Sequence, residues 1–175
     1  VSDLADVDGS SGDDHITGTD SASLELRGGS GDDVLTAGSQ GDTLIGGSGT
    51  DTLVGGVGDD TFVISGSGDS SDTFSGGGGA DTIKATGNVT LHGFDSVGDE
   101  ISAWTGTGNF HVSGTAQADV FDLSNLTSVD HLAYVDGGSG NDTIIGSDHW
   151  AGDLRGGAGA DTLTGGAMDD LLKGG

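Results

Sequence analysis

Residues 28–63 are four nonapeptides laid end to end: GGSGDDVLT, AGSQGDTLI, GGSGTDTLV and GGVGDDTFV. Three of the four fit GGxGxDxUx, where U is a large apolar residue. The full pattern occurs six times, at 28–36, 46–54, 55–63, 76–84, 137–145 and 156–164. Weaker copies lie at 9–17, 37–45, 67–75 and 165–173. Six full copies exclude chance and demand a repeat architecture, in which each unit buries its apolar face on its neighbours. Glycines at positions 1, 2 and 4 let the backbone visit positive φ. Position 8 then points inward as the large apolar side chain of a three-residue strand. Two nonapeptides make one coil, and turns n and n+2 stack on the same edge.

The glycine-rich corners supply carbonyl oxygens, and the position-6 aspartate supplies a negative one. Calcium is a hard cation that takes about six to eight oxygens. At these residues the chain resembles the repeats-in-toxin (RTX) family, whose GGxGxDxUx nonapeptide binds calcium. The resemblance implies a right-handed parallel β-roll or β-helix with each ion sandwiched between two stacked turns. One turn would give the carbonyls of positions 2 and 4 and its aspartate, and the other alternating carbonyls. Carried onto this sequence, the ligands in the first block are Asp14, Gly29, Gly31, Asp33, Asp42, Gly47, Gly49, Asp51, Gly56, Gly58, Asp60, Asp72, Gly77, Gly79 and Asp81. In the second they are Gly138, Gly140, Asp142, Gly157, Gly159, Asp161 and Asp170. Stacking places Asp14, Asp33, Asp51 and Asp72 in one row and Asp42, Asp60 and Asp81 in another. Roughly six to eight calcium ions are expected. Gln40 replaces the position-4 glycine of 37–45 and Met168 that of 165–173, so both sites are expected to be weak.

Acidic residues outnumber basic ones 29 to 4, for a formal charge of −25. The aspartates are phased with the glycines, which argues for cation sites rather than a merely solvated surface. Nucleic acid is disfavoured, because no basic patch meets phosphates. Leu, Ile, Val and Phe total 38 of 175 residues, just above the level of disordered chains. The metal-free chain is therefore expected to be largely unfolded. With about 1 mM ion and sites of roughly 100 μM, each site adds about 1.4 kcal/mol, and half a dozen add roughly 8. That is comparable with the stability of an ordinary domain.

The chain divides into an edge or linker at 1–8, a first block at 9–84, a metal-free β-helical segment at 85–136, and a second block at 137–175. Residues 137–164 align without gaps on 9–36, with 15 of 28 identical. The offset of 128 is not a multiple of nine, so a larger module is duplicated. Arg27 and Arg155 correspond. Segment 85–136 reads as short strands continuing the solenoid, with an inserted domain or hairpin cap as the alternative. GTAQADVFD at 114–122 echoes a repeat through Asp119 and Phe121.

The middle segment also holds His92, Asp95, Asp99, Glu100, Trp104, His111 and His131, but no spacing forms a catalytic motif. Trp104 and Trp150 are read as core or loop residues, with sugar stacking as the sharper alternative. Zinc is disfavoured without cysteine. No apolar run is long enough for a membrane span. Without a catalytic motif no catalysis is expected in this chain, and the resemblance implies type I secretion and an extracellular or cell-surface location. The expected role is calcium-dependent folding of a spacer, adhesin or accessory segment in a longer protein. The alternative is part of a polysaccharide-active enzyme with glycan contact on 85–136. Gly174-Gly175 reads as the opening of another repeat, and the segment is expected to be monomeric.

Overall fold

The computed structural model describes residues 5–66, 68–69 and 71–175. The edge expected at 1–8 lies partly outside them, and its remainder is a strand. Residues 67 and 70 of the weak repeat 67–75 also lie outside. The described residues form nineteen strands and no helix. Three sheets share them.

The longest sheet runs β1 (Ala5–Asp8), β3 (Leu24–Ser30), β5 (Thr43–Ser48), β7 (Thr61–Gly66), β9 (Asp81–Thr90), β12 (Phe110–Ser113), β15 (Leu132–Asp136), β17 (Asp153–Arg155) and β19 (Leu171–Lys173). β11 (Ile101–Gly106) also pairs with β9, and β14 (Ser128–Val129) with β11. A second sheet stacks β2 (His15–Thr17), β4 (Val34–Thr36), β6 (Thr52–Val57) and β8 (Thr73–Gly78). A third stacks β10 (Phe94–Asp95), β13 (Val120–Asp122), β16 (Thr143–Ile145) and β18 (Thr162–Thr164). Every pairing is parallel. Consecutive strands alternate between sheets over the repeat blocks, so the chain is a parallel β-solenoid, as the nonapeptide ladder requires.

Register follows the repeat. Leu26 pairs with Leu44, Leu44 with Phe62, and Phe62 with Ile83. On the opposite sheet Leu35 pairs with Leu53 and Leu53 with Phe74. A one-residue slip would turn these side chains out to water, so burial holds the register. Each is buried, and removing one such side chain from water contributes about 1.5–3 kcal/mol. Several strands outlast the three residues expected of them. β3, β5, β6 and β8 run on into the following glycines, where Gly29 pairs with Gly47 and Gly56 with Gly77. The close backbones of stacked corners keep the ladder going past position 9.

Across 85–136 the core becomes aromatic. Trp104 is fully buried, with Phe94 at 4.7 Å and Phe110 at 6.3 Å between ring centroids. It is a core residue and presents no face to a sugar. Trp150 packs partly buried against the same core. On the outer face, Tyr134 stacks on His111 at 4.5 Å and lies under the Arg155 guanidinium at 3.7 Å. This clamp joins β12, β15 and β17. The duplicated arginines keep equivalent partners: Arg27 pairs with Glu25, and Arg155 with Asp153, two residues before each.

The coils differ in length, yet the corners stay in line. Aspartates linked turn to turn are 18 residues apart at Asp33 and Asp51, 21 at Asp51 and Asp72, and 23 at Asp119 and Asp142.

Candidate calcium-binding corners

The position-6 aspartates form ladders along the solenoid edges. Asp14 N–H donates to Asp33 Oδ1 at 2.8 Å, Asp33 N–H to Asp51 Oδ1 at 2.8 Å, and Asp51 N–H to Asp72 Oδ1 at 2.8 Å. On the other edge the donors are Leu24, Asp42 and Asp60, and the acceptors are Asp42, Asp60 and Asp81. Leading into the second block Asp119 donates to Asp142, and within it Asp142 donates to Asp161 and Gly152 to Asp170. Each carboxylate thus reaches back to the preceding turn on its edge and spends one oxygen on its backbone.

The other oxygen is the informative one. Oδ2 of Asp14, Asp33, Asp51, Asp60, Asp72, Asp81 and Asp142 is buried without a hydrogen-bond partner. A buried charge left in this state costs several kcal/mol, and such groups are normally paired or bound to a metal. Burial pushes the Asp60 carboxyl up to about 6, aided by the charges of Asp81 and Asp42. Burial also lifts Asp72 to about 7, with Asp51 and Asp69 adding repulsion. Burial raises Asp51, Asp81 and Asp142 as well.

The space beside six of these seven Oδ2 atoms, all but that of Asp72, is kept open by the position-1 glycine. A Cβ on Gly46 would lie 2.3 Å from Asp51 Oδ2, and one on Gly137 would lie 2.4 Å from Asp142 Oδ2. Positions 2 and 4 adopt positive φ at Gly29 and Gly31, Gly47 and Gly49, Gly56 and Gly58, Gly77 and Gly79, Gly138 and Gly140, and Gly157 and Gly159. The same holds for Ser10 and Gly12 in repeat 9–17. A side chain at position 4 would meet the preceding turn: a Cβ on Gly49 would lie 2.0 Å from the Gly31 carbonyl oxygen. Each corner is therefore a backbone cradle with one carboxylate. Among the described residues no three His, Cys, Asp or Glu side chains converge. This donor set is oxygen only and largely carbonyl, which fits calcium and offers nothing to zinc.

Three of the predicted residues differ from the rest. Asp42 and Asp170 give Oδ2 to an amide of their own turn, Gly38 N–H at 3.0 Å and Gly166 N–H at 2.8 Å. Asp161 is half-buried and is the last rung of its ladder, holding the Asp142 amide at 3.0 Å.

Position 5 carries a second ladder that the repeat pattern left as an unspecified residue. Asp32 N–H donates to Asp13 Oδ1, Thr50 N–H to Asp32 Oδ1, Ala80 N–H to Asp59 Oδ1, and Ala160 N–H to Asn141 Oδ1. These side chains reach forward to the next turn, opposite to position 6. The doublets Asp13-Asp14, Asp32-Asp33, Asp59-Asp60 and Asn141-Asp142 were the sequence signal for it.

Where the second sheet ends at β8 and the third begins at β10, a cleft of about 370 Å³ opens between Phe74, His92, Phe94, Asp95, Asp99 and Val120. His92 Nδ1 lies 2.6 Å from Asp119 Oδ1 at its rim. Both phenylalanines are buried core residues.

Parallel coils, corner carboxylates with a free oxygen, and carbonyl cradles define a calcium-binding β-solenoid module. The sequence profile of the RTX calcium-binding nonapeptide repeat, in four copies, matches residues 6–22, 27–62, 67–88, 134–150 and 153–175. The chain belongs to that family, a structural calcium-binding module of secreted bacterial proteins. No curated protein matches the chain. No solved structure matches it either. Among the described residues no helix is long and apolar enough to cross a membrane.

Proposed function

We propose that this segment is a calcium-triggered folding module of an extracellular protein, in which it acts as a rigid spacer, adhesin segment or accessory to a catalytic partner. The row of buried, unpartnered Oδ2 atoms carries the reading. Without a cation these carboxylates repel one another inside the fold, and the modest apolar core opposes them with little reserve. Bound calcium supplies the missing partner, to be held by the corner aspartates and by the carbonyls of positions 2 and 4. Asp33, Asp51, Asp60, Asp81 and Asp142 meet each requirement of such a ligand. Low intracellular calcium then leaves the chain extended for export, and millimolar calcium outside folds it. Blocks 9–84 and 137–175 carry the ions, and 85–136 connects them without metal. Circular dichroism with and without EDTA tests this. The β-rich spectrum should collapse in EDTA and return with calcium; an unchanged spectrum in EDTA would refute it.

A second reading rests on the cleft at the break between the second and third sheets. Its carboxylates and His92 suit a polysaccharide contact in a secreted enzyme or glycan binder. A glycan array on the calcium-loaded segment separates the two. Binding lost in His92→Ala favours this second reading, and a blank array favours the spacer.

A further inference from the structure

Where position 4 is described, the corners exist in two states, and the residue there separates them. Seven repeats have glycine there: 9–17, 28–36, 46–54, 55–63, 76–84, 137–145 and 156–164. In all seven, positions 2 and 4 lie at positive φ. In six of them the aspartate Oδ2 is buried and unpartnered. Four repeats have another residue at position 4: Gln40, Ser70, Gln117 and Met168. Ser70 lies outside the described residues, and its repeat stands apart, since Asp72 Oδ2 is buried and unpartnered. The other three behave alike. In all three, the position-2 amide donates to Oδ2 of the aspartate four residues on. The pairs are Gly38 to Asp42 at 3.0 Å, Thr115 to Asp119 at 2.6 Å, and Gly166 to Asp170 at 2.8 Å.

Position 2 is not the determinant. Ser10 adopts φ 74° in a corner whose fourth residue is Gly12. Conversely, Gly38 and Gly166 are free to enter the left-handed region and stay out of it when position 4 is glutamine or methionine. The cause is steric. Position 4 of the open corners sits at φ between 104° and 146°, which L side chains rarely adopt. A side chain there forces the preceding peptides to rotate. The position-2 N–H then turns in toward the carboxylate. The same amide-to-Oδ2 pairing over four residues recurs at Ser65 and Asp69, and at Asp95 and Asp99.

We propose that glycine at position 4 leaves a corner calcium-accepting, and that Gln40, Gln117 and Met168 make 37–45, 114–122 and 165–173 self-capped. In these three the chain's own amide satisfies the carboxylate oxygen, and no ion coordinates Oδ2 of Asp42, Asp119 or Asp170. They are metal-independent links, one inside the first block, one entering the second and one at its last described coil. This inference rests on the calcium reading above, since it states which corners take the ion and which do not.

The test is the number of calcium ions per folded chain, measured by equilibrium dialysis and elemental analysis, with circular dichroism to verify folding. Gln40→Gly should raise the count by one, and Gln40→Ala should leave it unchanged. Met168→Gly, in the last described coil, should also add one and serves if the first variant does not fold. A folded glycine variant with the wild-type count overturns the assignment, as does a gain of one in Gln40→Ala. Wild type that takes up no calcium sinks the calcium reading itself and this inference with it, so the two failures are told apart.

Discussion

Asp51→Asn separates a metal ligand from a structural acceptor. The Asp51 side chain is fully buried, its Oδ1 accepts the Asp33 amide, and its Oδ2 has no partner. Asparagine keeps the oxygen that serves Asp33 and replaces the free oxygen with a donor. At an ion concentration ten times the site's Kd, the lost linkage is about 1.4 kcal/mol. For a chain of this size that lowers Tm by roughly 3–6 °C. In metal-free protein the sign differs. Burial, then repulsion from Asp33 and Asp32, penalises the carboxylate, so the neutral amide is neutral or stabilising. Thermal melts followed by circular dichroism in 1 mM calcium, and in EDTA with an excluded osmolyte to populate the fold, measure both arms. An equal loss in the two conditions would show that Asp51 serves only the backbone, and the ligand assignment would fall.

Acidification should partly replace calcium. Asp60 and Asp72 have folded-state values raised to about 6 and about 7, so the stability linked to their protonation is complete below the ordinary carboxylate range and is lost as pH rises through those values. In EDTA the β signal should therefore grow as pH falls from 8 to 5; a flat profile across that range argues against buried, repelling carboxylates. Gly79→Ala should cost roughly 2 kcal/mol or more in urea denaturation with calcium present. Its φ is 137° and its Cβ would lie 1.8 Å from the Gly58 carbonyl oxygen. Gly87→Ala, which would meet nothing within 4 Å, is the control and should stay within about 0.5 kcal/mol. Equal costs would deny that stacked corners interlock.

The solenoid and its rows were legible because their signals are periodic. The spacing of Leu35, Leu53 and Phe74 states which side chains stack, and the aspartate two places before each states which edge it joins. The position-5 ladder was written in the sequence too, as acidic doublets. A pattern that treats Asp32 and Asp59 as unspecified residues hides their forward reach to the next turn. Self-capping was only half visible. Gln40 and Met168 mark a strained position, but nothing in the letters says that the relieved backbone delivers an amide to Asp42 or Asp170. That depends on how peptide planes rotate together, which is a property of the folded corner. The burial of Trp104 between Phe94 and Phe110 was equally beyond local reading, because the three rings come from three strands of one long winding that follows no fixed period.

The unequal windings have a use of their own. Successive rungs stay bonded whether 18, 21 or 23 residues separate them. The corners and the stacked apolar side chains keep the alignment, and the remaining circumference is free to swell or shrink. A gene encoding such a chain can gain or lose stretches between corners and still thread onto the same axis. Surface loops of new length, and with them new contacts, can arise without renegotiating the scaffold.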